Sequence, residues 1–353
     1  MTTHTPAAPA LKPFPGFSAL DGCHCVTGSL ARIFSHSGHP LSEEMLFGLG
    51  AGLGFVYWRM KIFGRETIFV GGRSNLKGFF RDLAGRTGVD IRERQTSSAS
   101  KAEAALLQSL AESQPVMLGG DMGLLPWFDL PKDYHFGGHT FVACGYDGGN
   151  TVLCSDLNQR SSGVKKGFFA PITLEQLRKT RSSPFKPFPP RNLWLEFDFS
   201  RFHHPRAKSI VDAIRQMLDA ELRPPIRNFG VRGMRRTADE LLRWPEQFND
   251  RELRMQLFNL YVFIEIGGTG GGCFRPMYAR FLNEAAEITR NPALNDGAGA
   301  FERIGASFTE IALLFKDAAK MKDVKARVAT ASHGFRELAD KEEAACRFLE
   351  QNL

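Results

Sequence analysis

Two cysteines stand directly ahead of the first helical pattern, in Asp21-Gly22-Cys23-His24-Cys25-Val26. Val26, Leu30, Ile33 and Phe34 fall on one helical face, so the pair precedes an amphipathic helix. A thiol there meets unpaired backbone N–H groups and the positive end of the helix dipole, and both favour the thiolate. Thiolate is the nucleophilic form, and Cys25, nearer the first turn than Cys23, is the expected nucleophile. The bland alternative is a small buried apolar side chain. A metal site from Cys23, His24 and Cys25 is disfavoured, because one intervening residue is tighter than zinc spacing and no second pair follows.

A base and its orienter are expected far downstream. His139 opens the strand-like run Thr140–Tyr146, and Asp156 closes the run that starts at Thr151, across the turn Asp147-Gly148-Gly149-Asn150. A turn symmetric about Gly148-Gly149 sets Phe141 opposite Asp156 and His139 opposite Asn158. His139 and Asp156 are then diagonal neighbours on one face, roughly 7–8 Å apart at the backbone. A one-residue slip would send Asp156 to the other face, which leaves Asn158 as the rival orienter. A carboxylate placed so would fix the imidazole tautomer and stabilise its cation. A strand-end His on an ordinary hairpin is the plain alternative, and His135, in the loop before Gly137-Gly138, is a second candidate.

Stepping outward from these residues, a helix is expected over Val26–Phe34, ended by His39-Pro40. A second, capped helix is expected to open at Ser42-Glu43-Glu44. Short strands are expected near Phe55–Trp58, Thr67–Val70, Pro115–Leu118 and Leu193–Phe197, with helices over Asn75–Thr87 and Lys101–Ser113. From Arg206 onward the pattern is helical: Ala207–Leu222, Thr237–Trp244, Leu253–Ile266, Pro276–Glu287, Phe301–Asp323 and Val324–Glu350. The expected fold class is α+β followed by all-α. Its divisions are a Pro-rich lead (1–17), a catalytic domain (18–200) and a helical domain (201–353).

The 353 residues suit two packed domains, and 43% hydrophobic with 24% charged residues is an ordinary globular balance. The net charge of +7 is spread along the chain: residues 201–353 hold 24 Lys/Arg and 21 Asp/Glu, leaving 21 and 17 for the first 200. Short basic runs at Arg232–Arg236 and Lys316–Arg327 read as solvated helix faces, or as a docking face for an acidic partner. No nucleic-acid motif accompanies the charge, so nucleic acid is not an expected partner. The first twenty residues lack a basic start and an apolar core, and no stretch approaches eighteen apolar residues, so neither a signal peptide nor a membrane span is expected. Six Cys form no disulfide framework, and a cytoplasmic location with reduced thiols is expected.

Cys at a helix start, His at a strand start and Asp across a hairpin is the papain-like order. The segment HTFVACGYDGGNTVLCSD (His139 to Asp156) resembles the His/Asp hairpin of peptidases that trim bacteriocin leaders. More specifically, HCVTGSL (His24 to Leu30), HPLSEEMLFGLGAGLGFVYW (His39 to Trp58) and PVMLGGDMGLLPWF (Pro115 to Phe128) resemble the BtrH family, named for the butirosin biosynthesis protein. IEIGGTGGGCFRPMYARFLNEAA (Ile264 to Ala286) resembles the helical domain that often follows it. Together these stretches carry the resemblance over nearly the whole chain after residue 17. The resemblance implies an acyltransferase with no cofactor of its own. Its donor would be a phosphopantetheine thioester on an acyl carrier protein, and its acceptor a small amine. Carried over to this chain, the nucleophile is Cys25, the base His139 and the orienter Asp156. Papain-like peptidases place a Gln six residues before the nucleophile to line the oxyanion hole; Ala19 stands there, so the Cys25 N–H needs another partner. The rival readings are a hydrolase of the same fold and a non-catalytic binding protein. A homo-oligomer is compatible with all three.

Two further residues are candidates for binding substrate. Asp121 ends a strand beside the expected cleft, where it would take an amine or simply serve a turn before Gly123. Arg275 and Glu265 flank GGTGGGCFRP (Gly267 to Pro276), a glycine run that reads as a phosphate cradle or as a tight helix connection; the two either face the cleft or pair with each other.

Overall fold

The computed structural model describes residues 11–62, 65–159 and 163–353. The first helix, α1 (Cys25–His36), is capped by His24, and α2 (Glu43–Leu49) by Ser42, whose hydroxyl accepts from the Met45 N–H at 2.9 Å. A separate two-stranded hairpin follows, β1 (Val56–Ile62) with β2 (Arg65–Gly71). Next come α3 (Phe79–Thr87), β3 (Asp90–Arg94), α4 (Ala99–Ala111), β4 (Val116–Gly120), β5 (His139–Tyr146), β6 (Thr151–Leu157), β7 (Gly167–Thr173), α5 (Leu174–Arg181) and β8 (Trp194–Asp198). Six of these strands form one antiparallel sheet in the order β3-β8-β4-β5-β6-β7.

Two strands of that sheet escaped the periodicity analysis, and both lie at its edges. β3 is Asp-Ile-Arg-Glu-Arg, whose solvated outer positions leave no apolar alternation to read. β7 carries Pro171, and a residue without an N–H is tolerated at an edge. The short helix α5 was also not anticipated; Thr173 opens it with a reciprocal capping box to Gln176.

The remainder is helical: α6 (Ala207–Leu222), α7 (Gly230–Leu241), α8 (Trp244–Gln247), α9 (Asp250–Tyr261) running into a π turn (Val262–Ile266), α10 (Arg275–Thr289), α11 (Ala293–Leu313) and α12 (Val324–Gln351). α11 opens earlier and stops sooner than the apolar spacing implied. The basic run from Lys316 is therefore mostly the α11–α12 connection rather than a helix face. Among the described residues no helix is long and apolar enough to cross a membrane.

One buried apolar cluster runs from Phe17 through α1, α2 and the β1–β2 hairpin into α6–α12, so the two halves of the chain share a core. A second, smaller cluster fills the other face of the sheet, with Phe141 and Ala143 of β5 meeting Val152 and Cys154 of β6 and Leu106 and Leu110 of α4. α1 packs against β5. That contact brings the N-terminus of α1 to the end of β5 at His139.

Candidate active site

The β5–β6 register decides whether His139 and Asp156 can meet. Val142 pairs with Ser155 and Ala143 with Cys154, as a symmetric hairpin requires, but Gly145 pairs with Leu153 and Tyr146 with Val152. The ladder therefore slips by one residue at the turn, and a bulge at Cys144 absorbs the slip before the catalytic end is reached. Parity then places His139 and Asp156 on the face shared with Phe141 and Cys154. Asp156 Oδ2 lies 2.8 Å from His139 Nε2, which leaves Nδ1 for the thiol. The same oxygen accepts from Trp127 Nε1 at 2.9 Å, and Oδ1 accepts from the Leu157 N–H at 2.7 Å. Asn158, at the hairpin's far end, gives its backbone N–H to the Lys166 carbonyl.

Cys25 is the first residue of α1 and half-buried, whereas Cys23 is buried. Burial alone would push the Cys25 thiol up, yet His24 and His139 against it, by charge and by hydrogen bonding, bring it well below the usual thiol range. Burial would likewise lower His139, but the Asp156 carboxylate and the Cys25 sulfur raise it to about 10. At neutral pH the pair is thus thiolate and imidazolium, the reactive form of a cysteine nucleophile. Cys23 goes the other way: burial, then the Glu43 carboxylate, push it up to about 11, so it stays a thiol.

His24 is a neighbour of the thiol that sequence reasoning considered only as a metal ligand. Its Nε2 lies 3.3 Å from Arg73 Nη1 and its Nδ1 3.2 Å from Thr27 Oγ1. Burial lowers its pKa, the Cys25 sulfur works against that, and Arg73 adds to the lowering.

Glu43 locks the approach to the nucleophile. This buried carboxylate accepts from the Cys23 N–H at 2.6 Å, the His24 N–H at 2.8 Å and Thr27 Oγ1 at 2.7 Å. Its neighbours on α2 face the helical half: Glu44 pairs with Arg280 at 2.7 Å, and Ser42 donates to Glu284 at 2.7 Å. Arg32, buried on α1, ties that helix to the hairpin by donating to the Leu20 and Asp156 carbonyls at 2.7 and 3.3 Å. None of Glu43, Trp127, Arg32 or Arg73 carries a local signal, since each acts on residues distant in the chain. For Glu43 the Ser42 cap predicted the helix but not the partner.

Asp121 is not open to a substrate amine. It is fully buried; Oδ1 accepts from the Phe136 and Gly123 N–H groups at 3.0 and 3.1 Å, while Oδ2 meets His135 Nδ1 at 2.9 Å and Ser183 Oγ at 2.5 Å. It organises the loop that holds His135, which is accordingly no rival base.

Arg275 also faces no cleft and does not pair with Glu265. Fully buried, it makes two bonds to Glu342, at 3.0 and 2.6 Å, and donates to the Gly54 and Cys273 carbonyls at 3.0 and 2.8 Å. Its work is to pin the glycine run, where Cys273 and Phe274 have φ of 53° and 70°. That strained run lies on the nucleophile segment: a Cβ at Gly270 (φ 73°) would come within 3.1 Å of Cys23 Sγ, and Phe274 meets the His24 ring edge-on at 5.2 Å.

The glycine run lines a cavity of about 300 Å³ with Gly163, Glu265, Pro276, Glu302 and Thr309. Glu265 spends Oε1 on the Gly272 N–H (2.9 Å) and Thr309 Oγ1 (2.6 Å). Among the described residues the cavity's lining holds two carboxylates and no cation, a set that favours a cation over a phosphate. A second cavity, of about 360 Å³, lies at the α11–α12 connection near Leu313 and Arg327, in a different part of the chain from these residues.

Comparison with known families divides the chain in two. Residues 24–157 match the family described as butirosin biosynthesis protein H, N-terminal, and residues 175–349 match a domain of unknown function (DUF4872). The first match spans Cys25, His139 and Asp156; the second begins at α5 and includes β8, an interior strand of the sheet. No curated protein matches the chain.

Proposed function

This chain belongs to the BtrH-like family, and we propose that it is a cysteine-dependent acyltransferase of a biosynthetic pathway, moving an acyl group from a thioester donor through Cys25 to an amine. The observation that carries the reading is the thiol at the start of α1 set against His139, itself held by Asp156. The Cys25 thiolate adds to the donor carbonyl, and the intermediate expels the donor thiolate, which takes a proton from the His139 imidazolium. The neutral imidazole then accepts a proton from the amine as it attacks the acyl-Cys25 thioester, and Cys25 leaves as thiolate. Thioester exchange is nearly thermoneutral and aminolysis is downhill, so positioning and exclusion of water are the main demands.

The donor is a phosphopantetheine thioester on an acyl carrier protein, and the arm belongs to the donor rather than to this chain. Carrier proteins are acidic, and the net charge of +7 favours encounter with one. Not all of the basic surface is free for docking: in the Arg232–Arg236 run, Arg235 is paired with Asp340 and Glu343, and Arg236 donates to Asn228, while Arg232 stays exposed. The acidic cavity beside Gly270 suits an ammonium group and supports the amine as acceptor.

The test is intact-protein mass spectrometry after mixing with acyl-carrier and acyl-pantetheine thioesters. The wild type should gain one acyl mass and Cys25→Ala none, and an added amine should discharge the adduct faster than water does. Peptide cleavage without an adduct from any thioester would replace this reading with a hydrolase.

A further inference from the structure

Addition of a thiolate to a carbonyl moves the C=O π pair onto oxygen, and that oxyanion needs donors fixed in advance in a water-poor site. Most donors around Cys25 are already committed. The Cys23 and His24 N–H groups bind Glu43, the Thr27 N–H meets His24 Nδ1 at 3.4 Å, and the Gly28 N–H reaches the His24 carbonyl at 2.8 Å. The Cys25 N–H, first in its helix, has no acceptor among the described residues. One donor is a weak hole, and Ala19 offers no second.

Lys165 is the uncommitted group. It is completely buried. Its backbone is fastened to the nucleophile segment in both directions, Gly22 N–H to Lys165 carbonyl at 3.0 Å and Lys165 N–H to Gly22 carbonyl at 2.6 Å. Its Nζ donates to the Cys23 carbonyl at 3.2 Å, and none of the ion pairs among the described residues includes it. A buried ammonium with one neutral acceptor costs several kcal/mol, so it stays where it is only if the surrounding structure over-determines it. Burial lowers its pKa, and the negative charges of Cys23, Cys25 and Glu43 work against that. Arg73 is the other nearby cation, but it gives Nη1 to His24 and lies over the Phe79 ring at 4.6 Å.

We propose that Lys165 Nζ and the Cys25 backbone N–H form the oxyanion hole, with Lys165 supplying the donor that Ala19 lacks. In the step itself the Cys25 S–C bond forms, the carbonyl pair becomes an alkoxide held by these two donors, and its collapse breaks the bond to the leaving group. The proposal rests on Cys25 being the acylated atom, but it does not depend on whether the acceptor is an amine or water.

The experiment compares two reactions of the same sulfur in wild type, Lys165→Met, Lys165→Gln and Arg73→Met. One is acetylation by p-nitrophenyl acetate, followed as p-nitrophenolate release, with peptide mass spectrometry placing the acetyl on Cys25. The other is alkylation by iodoacetamide, a displacement at saturated carbon that creates no oxyanion. Each rate is taken on its pH plateau, where thiolate is saturated, and circular dichroism confirms folding. Lys165→Met should lower acetylation about 100-fold or more with its alkylation plateau unchanged, and Lys165→Gln, which keeps an N–H donor, should recover part of the loss. If Lys165→Met does not fold, Lys165→Gln against wild type carries the same comparison with a smaller loss. Equal losses in both reactions, no loss in acetylation, or the loss appearing in Arg73→Met instead would overturn the proposal. A Lys165-dependent acetylation in an enzyme that takes no acyl group from thioesters would sink the transferase reading alone.

Discussion

Two buried charge clusters sit on either side of the glycine run, and they are built on opposite principles. At Arg275 the guanidinium is saturated by Glu342 and two carbonyls. Around Cys25, among the described residues, the cations outnumber their partners: Lys165 has one neutral acceptor, and the Arg73 Nε is buried without any. A saturated buried pair stabilises one backbone arrangement and offers nothing to a ligand. An unsaturated set keeps donors and field available for a charge that exists only during reaction. Glu221 is the exception that sharpens the contrast, since it is buried in the helical half with both oxygens unpartnered among the described residues. Burial first, then Glu342, push it up to about 8, and it resolves its position by staying protonated.

The largest expected effect breaks the catalytic side. His139→Ala should lower acylation of Cys25 by about 10²–10⁴-fold, the usual weight of a positioned acid–base. In the wild type, iodoacetamide should label Cys25 from mildly acidic pH onward and leave Cys23 unlabelled until pH approaches 11. The acid-side labelling depends on the imidazolium, so Asp156→Asn should shift its onset to higher pH; an unshifted profile would remove Asp156 as orienter.

A change of similar size in another observable is expected on the structural side. Arg275→Met strands Glu342 in the core and frees the Cys273 carbonyl, and should cost about 3–5 kcal/mol in denaturant unfolding. A loss below about 1 kcal/mol would show that this pair is not the anchor of the glycine run.

The last effect concerns Glu221 and is read in the pH profile of stability. Its folded-state value lies above that of an ordinary carboxyl, so the native state holds the proton more tightly than the unfolded chain. The resulting stability is complete below the unfolded value and declines as pH rises, by about 1.4 kcal/mol per unit until pH passes 8. Glu221→Gln should flatten that part of the stability profile while leaving Cys25 alkylation as it was.

Much of the site was legible in the sequence, for local reasons. The pair of cysteines, the 3.6-residue spacing after Val26 and the cap at Ser42 are signals between near neighbours, and α1 and α2 follow them. The hairpin is less simple. Asp156 was expected opposite Phe141 from a symmetric turn, but the turn is offset and the Cys144 bulge restores the pairing, so a right partner came from an incomplete account. The edge strands β3 and β7 were missed because one of their sides meets water.

What the amino-acid order determined by itself was the helix that carries the thiol, the hairpin that carries His139, and the residue types that make a Cys–His–Asp line conceivable. These follow from short-range periodicity and turn chemistry, which hold whatever the rest of the chain does. Only the tertiary structure decided that Asp156 bonds His139 while Asp121 organises a loop, that Arg275 answers Glu342 across 67 positions, and that Lys165 lies beside Cys23 across 142. A carboxylate or a cation carries no sign of its role in its own neighbourhood in sequence, because that role is set by burial and by the groups folding brings within hydrogen-bonding distance.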